Sequence, residues 1–145
     1  MPTSAYNKFD DFSEQLIRGV HDFDANTFKV ALTNSAPVAT NTVLADITQI
    51  ASGGGYTTGG QTTTISISVS TLTTTVSGTE VQWTGSGGGM ATFRYAVLYN
   101  DSSTSPADAL IAWFDYGGSG VTLAAGETFT LKFNNASPGT IFTLA

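Results

Sequence analysis

His21 stands beside Asp22 and Asp24 and is the only histidine in a chain of 145 residues that has no cysteine. Such a group could be a catalytic His–Asp pair or part of a metal site. A His–Asp pair works only when a nucleophile is held against the imidazole, and no Gly-x-Ser-x-Gly elbow accompanies this histidine. One imidazole excludes any site that needs two, and the missing thiols exclude cysteine zinc sites, iron–sulfur clusters and disulfide frameworks. Asp22, Asp24 and Asn26 have the alternate spacing that opens a calcium loop. Thr27 takes the place of the required glycine, and the closing glutamate is missing. The expectation for residues 21–26 is a polar linker with a satisfied histidine.

Two facing carboxylates would be needed for glycoside hydrolysis. Glu80, Asp115 and Glu127 are the acidic residues on strand patterns. Glu80 and Glu127 lie beside turn signals, where water reaches them. Asp115, in the apolar run Trp113-Phe-Asp-Tyr116, is expected to face outward or to pair with Arg94. Gly54 and Gly59 have the spacing of a phosphate loop, but Gly60-Gln61 follows where lysine is required, and a strand pattern follows instead of a helix. No catalytic residue, cofactor or metal ligand is therefore expected.

Charge argues against two classes of partner. Five Lys/Arg against eleven Asp/Glu give a net charge of −6. The cations Lys8, Arg18, Lys29, Arg94 and Lys132 are scattered, so no basic patch is available for phosphate contacts. The same balance disfavours anionic membranes, and no apolar run approaches the ~18 residues of a membrane span. The start, Met1-Pro-Thr-Ser-Ala-Tyr, lacks the basic and apolar regions of a secretion signal. The expectation is a protein made in a reducing cytoplasm, with the Asn-x-Ser matches at Asn100 and Asn135 arising by chance.

The elements that must position these residues are mostly strands. One short helix is expected near the start, capped by Asp10 or Asp11, with Phe12, Leu16 and Ile17 on its apolar face and Gly19 at its end. From Phe28 onward the pattern is β. Phe28, Val30 and Leu32 alternate with Lys29, Ala31 and Thr33; residues 41–50 read as a helical turn. Ile65, Ile67 and Val69 alternate with serines, and a phase slip near Ser70–Thr71 suggests a bulge. Val81 and Trp83 share a face. Ala91 to Tyr99 and Leu110 to Tyr116 are apolar on both faces, the mark of central, doubly covered strands. Val121 and Leu123, then Phe129, Leu131 and Phe133, read as a hairpin, and Ile141 to Leu144 as a last strand.

This spacing predicts an all-β fold, a jelly-roll-like β-sandwich of about seven to eight antiparallel strands with a short N-terminal helix. The expected division is an N-terminal arm and helix over 1–20 and a single β-sandwich domain over 21–145. Most of the sixteen aromatic residues alternate as a core would. Tyr56 is the exception: it sits in a glycine loop with no strand register and is read as an exposed contact residue.

Phe28-Lys-Val-Ala-Leu-Thr33, Gly53-Gly-Gly-Tyr-Thr-Thr-Gly-Gly60, Ala91-Thr-Phe-Arg-Tyr-Ala-Val-Leu-Tyr-Asn100 and Ile111-Ala-Trp-Phe-Asp-Tyr-Gly117 together resemble a family of small tailed-bacteriophage virion proteins. The resemblance covers nearly the whole chain, and its motifs are structural rather than chemical. It implies a capsid cement or decoration protein that binds the outside of the mature head and bridges major capsid subunits, with no catalytic residues to carry over. A dimer or trimer is the expected oligomer. Phe9, Phe12, Leu16 and Ile17 of the N-terminal arm, together with Tyr56, are the candidate capsid contacts. The alternative is a tail, fibre or baseplate component with a host-surface or carbohydrate-binding β-sandwich.

Overall fold

The computed structural model describes residues 3–145. The fold is an all-β sandwich with one short helix. In chain order the elements are β1 (Asn7–Lys8), α1 (Phe12–Ile17), β2 (Phe28–Thr33), a 3-10 turn (Leu44–Asp46), β3 (Gln61–Thr63), β4 (Ile65–Ser70), β5 (Thr73–Gly78), β6 (Val81–Thr84), β7 (Met90–Phe93), β8 (Tyr95–Asn100), β9 (Leu110–Asp115), β10 (Val121–Leu123), β11 (Thr128–Leu131) and β12 (Gly139–Leu144). One layer is a five-stranded sheet in the order β1-β9-β8-β2-β3. The other is made of the pairs β10-β7 and β11-β6 and the three-stranded sheet β12-β5-β4. All pairings are antiparallel.

The strands outnumber the expected set because long strands bend and change sheets. The run from Gln61 to Ser70 pairs first with β2 and then, past Thr64, with β5. The run from Met90 to Asn100 pairs first with β10 and then, past Arg94, with β2 and β9. Strands that switch sheets in this way close the corners of a sandwich. The switch at Arg94 also turns the side chains over. Phe93, Ala96 and Leu98 enter the main core, whereas Val97 and Tyr99 pack on the opposite face of the five-stranded sheet. Phe93 therefore does not share a face with Val97 and Tyr99, although all three have the same parity in the run from Ala91 to Tyr99.

The main core lies between the layers, with Phe28, Val30, Leu32, Trp83, Met90, Phe93, Leu98 and Ile111 among its buried members. A second core of Phe9, Ala31, Leu44, Ile47, Val97, Tyr99 and Leu110 covers the other face of the five-stranded sheet. The doubly apolar strands β8 and β9 are thus covered on both sides, as their composition requires.

Three local expectations are corrected. The phase slip at Ser70–Thr71 is a two-residue hairpin: Ser70 pairs with Thr73, and Thr71 and Leu72 both have positive φ, 46° and 62°. β10 and β11 do not pair with each other but with β7 and β6. The N-terminal segment is built into the domain. β1 pairs with β9, Phe9 N–H donates to the Ile111 carbonyl at 3.1 Å, and Phe12 joins the main core. Residues 7–12 are therefore wall, not arm.

Candidate functional site

The five candidate contact residues divide by burial. Phe9, Phe12 and Tyr56 are buried, so their rings have no surface to offer a partner. Phe9 packs beside Trp113 with the rings tilted by 47° and their centroids 4.6 Å apart, and the Phe12 and Phe142 centroids lie 5.4 Å apart. Tyr56 is held by its hydroxyl, which accepts from Leu32 N–H at 3.1 Å and donates to Gln49 Oε1 at 2.6 Å. Its loop is anchored by backbone packing. A side chain at Gly54 would meet the Gly89 carbonyl at 1.9 Å, and one at Gly60 would meet the Val30 carbonyl at 1.8 Å. The two glycine loops thus pack main chain on main chain, and Gly is required for that approach. Leu16 is half-buried, and Ile17, at the end of α1, is exposed.

Leu16, next to the exposed Ile17, borders a larger apolar face that no single sequence segment reveals. Ile67 pairs across the sheet with Val76, which pairs with Phe142; the next rung is Val69, Thr74 and Leu144. The first rung borders the core beneath α1. The second overhangs it, and the β4–β5 turn extends further. Ile17 is 87% exposed, Leu72 92%, Val69 72%, Leu144 51% and Ile67 45%. Between the helix and the sheet runs a groove of about 370 Å³, lined by Leu16, His21, Phe23, Ile67, Phe142 and Leu144 among others. No Asp, Glu, Lys or Arg occurs from Gln61 to Thr79 or from Gly139 to Ala145, so the sheet side of this groove is uncharged.

His21 forms the polar end of the groove. It is buried between Phe12 and Phe23, with centroids at 5.4 and 6.1 Å. Asn100 Nδ2 lies 3.3 Å from its Nδ1 and also donates to Asn26 Oδ1 at 2.8 Å and the Val20 carbonyl at 3.1 Å. Nε2 has no partner. Burial lowers the imidazole pKa to about 4, with Asp11 opposing the shift. The expectation of a satisfied linker histidine is corrected: one ring nitrogen is orphaned. Asp22 serves a turn, its Oδ1 accepting from the N–H groups of Asp24 and Ala25 at 3.0 and 3.2 Å. Among the described residues no group of three or more His, Cys, Asp or Glu is placed to hold a metal ion. Asn100, the first Asn-x-Ser match, is fully buried.

A second concavity opens where the layers part. This cleft of about 400 Å³ is lined by Tyr6, Phe93, Phe114, Tyr116, Phe129 and Phe133, with Arg94 and Asp115 also on its wall. Phe93 and Phe129 meet edge to face at 4.9 Å, and Tyr116 approaches Phe129 at 5.9 Å. Arg94 and Asp115 form the pair expected from sequence. Nε donates to Oδ1 at 2.7 Å and Nη2 to Oδ2 at 2.8 Å. The guanidinium holds the Asp115 carboxyl below its usual range. The Tyr6 hydroxyl is buried without a partner among the described residues, and burial raises its pKa to about 12. Glu80 pairs with Lys132 at 3.5 Å, and Glu127 accepts from Ala124 N–H at 2.8 Å. Each of these three carboxylates, Asp115 in β9 and Glu80 and Glu127 just before β6 and β11, is thus engaged in its own local contact.

Comparison with known proteins gives no match: no family model, no curated protein and no solved structure is similar to this chain.

Proposed function

We propose that this chain is a structural protein of a tailed-bacteriophage virion, a cement or decoration protein that binds the outside of the mature head and bridges major capsid subunits. The observation that carries this reading is the exposed aliphatic surface of the β4–β5–β12 sheet, uncharged itself and continued by the groove to Leu16 of α1. Contiguous exposed apolar surface on a small acidic domain marks a protein contact. In this reading Leu16, Ile17 and Leu144 rest on the major capsid protein. The groove beside them takes an apolar side chain of that partner. Binding many copies across subunit seams adds interface area that resists the pressure of packaged DNA. The role requires no cofactor, nucleic acid, membrane or catalytic residue, and it places the protein on the capsid exterior.

The test is a surface substitution. Ile17→Asp places a charge in the apolar contact without disturbing the core. Co-sedimentation of that variant with mature heads lacking the native protein should fall more than about tenfold, the loss of a central apolar anchor. Undiminished binding would remove α1 from the contact.

The aromatic cleft supports a second reading, a host-surface or carbohydrate-binding role on a tail, fibre or baseplate. Tyr116 and Phe129 offer ring faces to the non-polar face of a sugar, and Arg94 offers hydrogen-bond donors. Saturable binding to a glycan array that is lost in Tyr116→Ala, together with no binding to heads, would favour this alternative.

A further inference from the structure

We infer that the outer edge of β4 is a self-association surface, at which two copies of this chain pair antiparallel about a two-fold axis. β4 is bonded to β5 on one side and lies at the end of its sheet. Every residue from Ser66 to Ser70 is exposed, so the strand stands clear of the body with both faces in solvent. Its main-chain groups on the outer side form a ready template for another strand.

Folded proteins blunt such edges with charge, proline, bulges or very short strands. The other edges of the five-stranded and three-stranded sheets use these devices. β1 and β3 have two and three residues, β1 carries Lys8, and β12 has a register shift between Thr140 and Phe142. β4 has none of them. It is six residues long, its pairing with β5 is unbroken, and neither Pro nor a charged residue occurs from Gln61 to Thr79. The turn that ends it adds Leu72 at its tip, with Thr71 and Leu72 in the left-handed region. Asn-Gly would fill these positions at less cost.

Charge and pattern identify the occupant as a second copy. The chain carries a net charge of −6, so two copies meeting through most other surfaces bring like charges together. This edge brings none. The alternation Ile65-Ser-Ile-Ser-Val-Ser70 is also self-complementary. A two-fold axis at Ser68 sets Ile67 opposite Val69 and Ser66 opposite Ser70, so aliphatic meets aliphatic and hydroxyl meets hydroxyl. The contact is isologous and joins the two three-stranded sheets into one of six. An interface made of one strand edge is small, which puts it in the weak class below about 1,200 Å². The inference does not depend on the shell reading, which uses the face of this sheet and the groove, whereas the pairing uses the outer main-chain edge of β4.

The absence of cysteine makes the test clean. Single cysteines would be placed at Ser66, Ser68, Ser70 and, as a distant control, Ser35, and oxidised with diamide. Pairing about Ser68 predicts disulfide dimers of Ser68→Cys at least about tenfold above Ser35→Cys, because facing residues on antiparallel strands come within disulfide reach. Mixing Ser66→Cys with Ser70→Cys should give heterodimers in excess of either homodimer. Sedimentation equilibrium of the unmodified chain up to about 500 µM, the range of a weak contact, should show a reversible dimer that Val69→Lys abolishes while its unfolding midpoint stays unchanged. Val69→Lys lowers the net negative charge, so its loss of dimer cannot come from greater overall repulsion. A monomer at every concentration, a dimer that survives Val69→Lys, or equal cross-linking at Ser35 and Ser68 would each overturn the inference and leave the shell reading standing. Cross-linking of Ser68→Cys to a shell subunit and not to itself would overturn it in favour of a foreign strand.

Discussion

Tyr56 and His21 show how burial changes what a residue can do. A tyrosine among glycines invites the reading of an exposed contact, but its ring is in the core and its hydroxyl bridges Leu32 N–H and Gln49. Tyr56→Phe should cost about 1–2 kcal/mol, since it orphans a buried N–H; urea unfolding at neutral pH measures this. His21 makes the fold acid-sensitive. Its folded pKa of about 4 lies below the ~6.5 of the unfolded chain, so the unfolded state binds the extra proton between these values. Stability is full above about pH 6.5 and falls as pH drops toward 4, by at most roughly 3 kcal/mol. Asp46 and Asp115, both lowered by hydrogen-bond donors, add their losses at still lower pH. Unfolding free energies at pH 7, 5.5 and 4.5 should decline in the unmodified protein and stay nearly flat in His21→Leu. Neither role was legible in the sequence, because a loop position has no periodicity to reveal which way its side chain points. The Arg94–Asp115 pair was legible, because two lone charges on adjacent apolar strands have few other partners.

At the scale of elements, periodicity identified strands better than it identified their partners. β2, β6, β8, β9 and β12 follow from alternation or from double-faced apolar runs. The mispairing of β10 and β11 has a physical cause. Ala125-Gly126 is a sound turn signal, and local pairing is the natural inference from it. The actual partners, β7 and β6, are set by how the sandwich closes, which no local pattern encodes. Thr71-Leu72 failed in the other direction: it is a tight turn without the usual residues, so the sequence reads as a slipped strand. The left-handed conformation costs a non-glycine residue roughly 1–2 kcal/mol. Replacing Thr71 with Asn and Leu72 with Gly should therefore stabilise the hairpin by about 1–2 kcal/mol, visible as a higher urea midpoint. An unchanged or lower midpoint would mean that the positive φ values carry no strain.

The whole molecule binds its N-terminus more firmly than the sequence suggests. Removing residues 2–19 deletes β1 and the buried rings of Phe9 and Phe12. At about 3–5 kcal/mol per buried phenylalanine lost, the deficit rivals the entire stability of a domain this size. The truncated chain should be unfolded or aggregated by circular dichroism and gel filtration, so it cannot serve to test shell binding. Point substitutions on the overhanging face can, since exposed positions change stability by only about 0.5 kcal/mol. The most direct measurement is co-sedimentation of the purified protein with mature heads and with unexpanded procapsids, both made without it. The cement reading predicts saturable binding to mature heads alone, lost in Ile17→Asp. A folded protein that binds neither shell would contradict it.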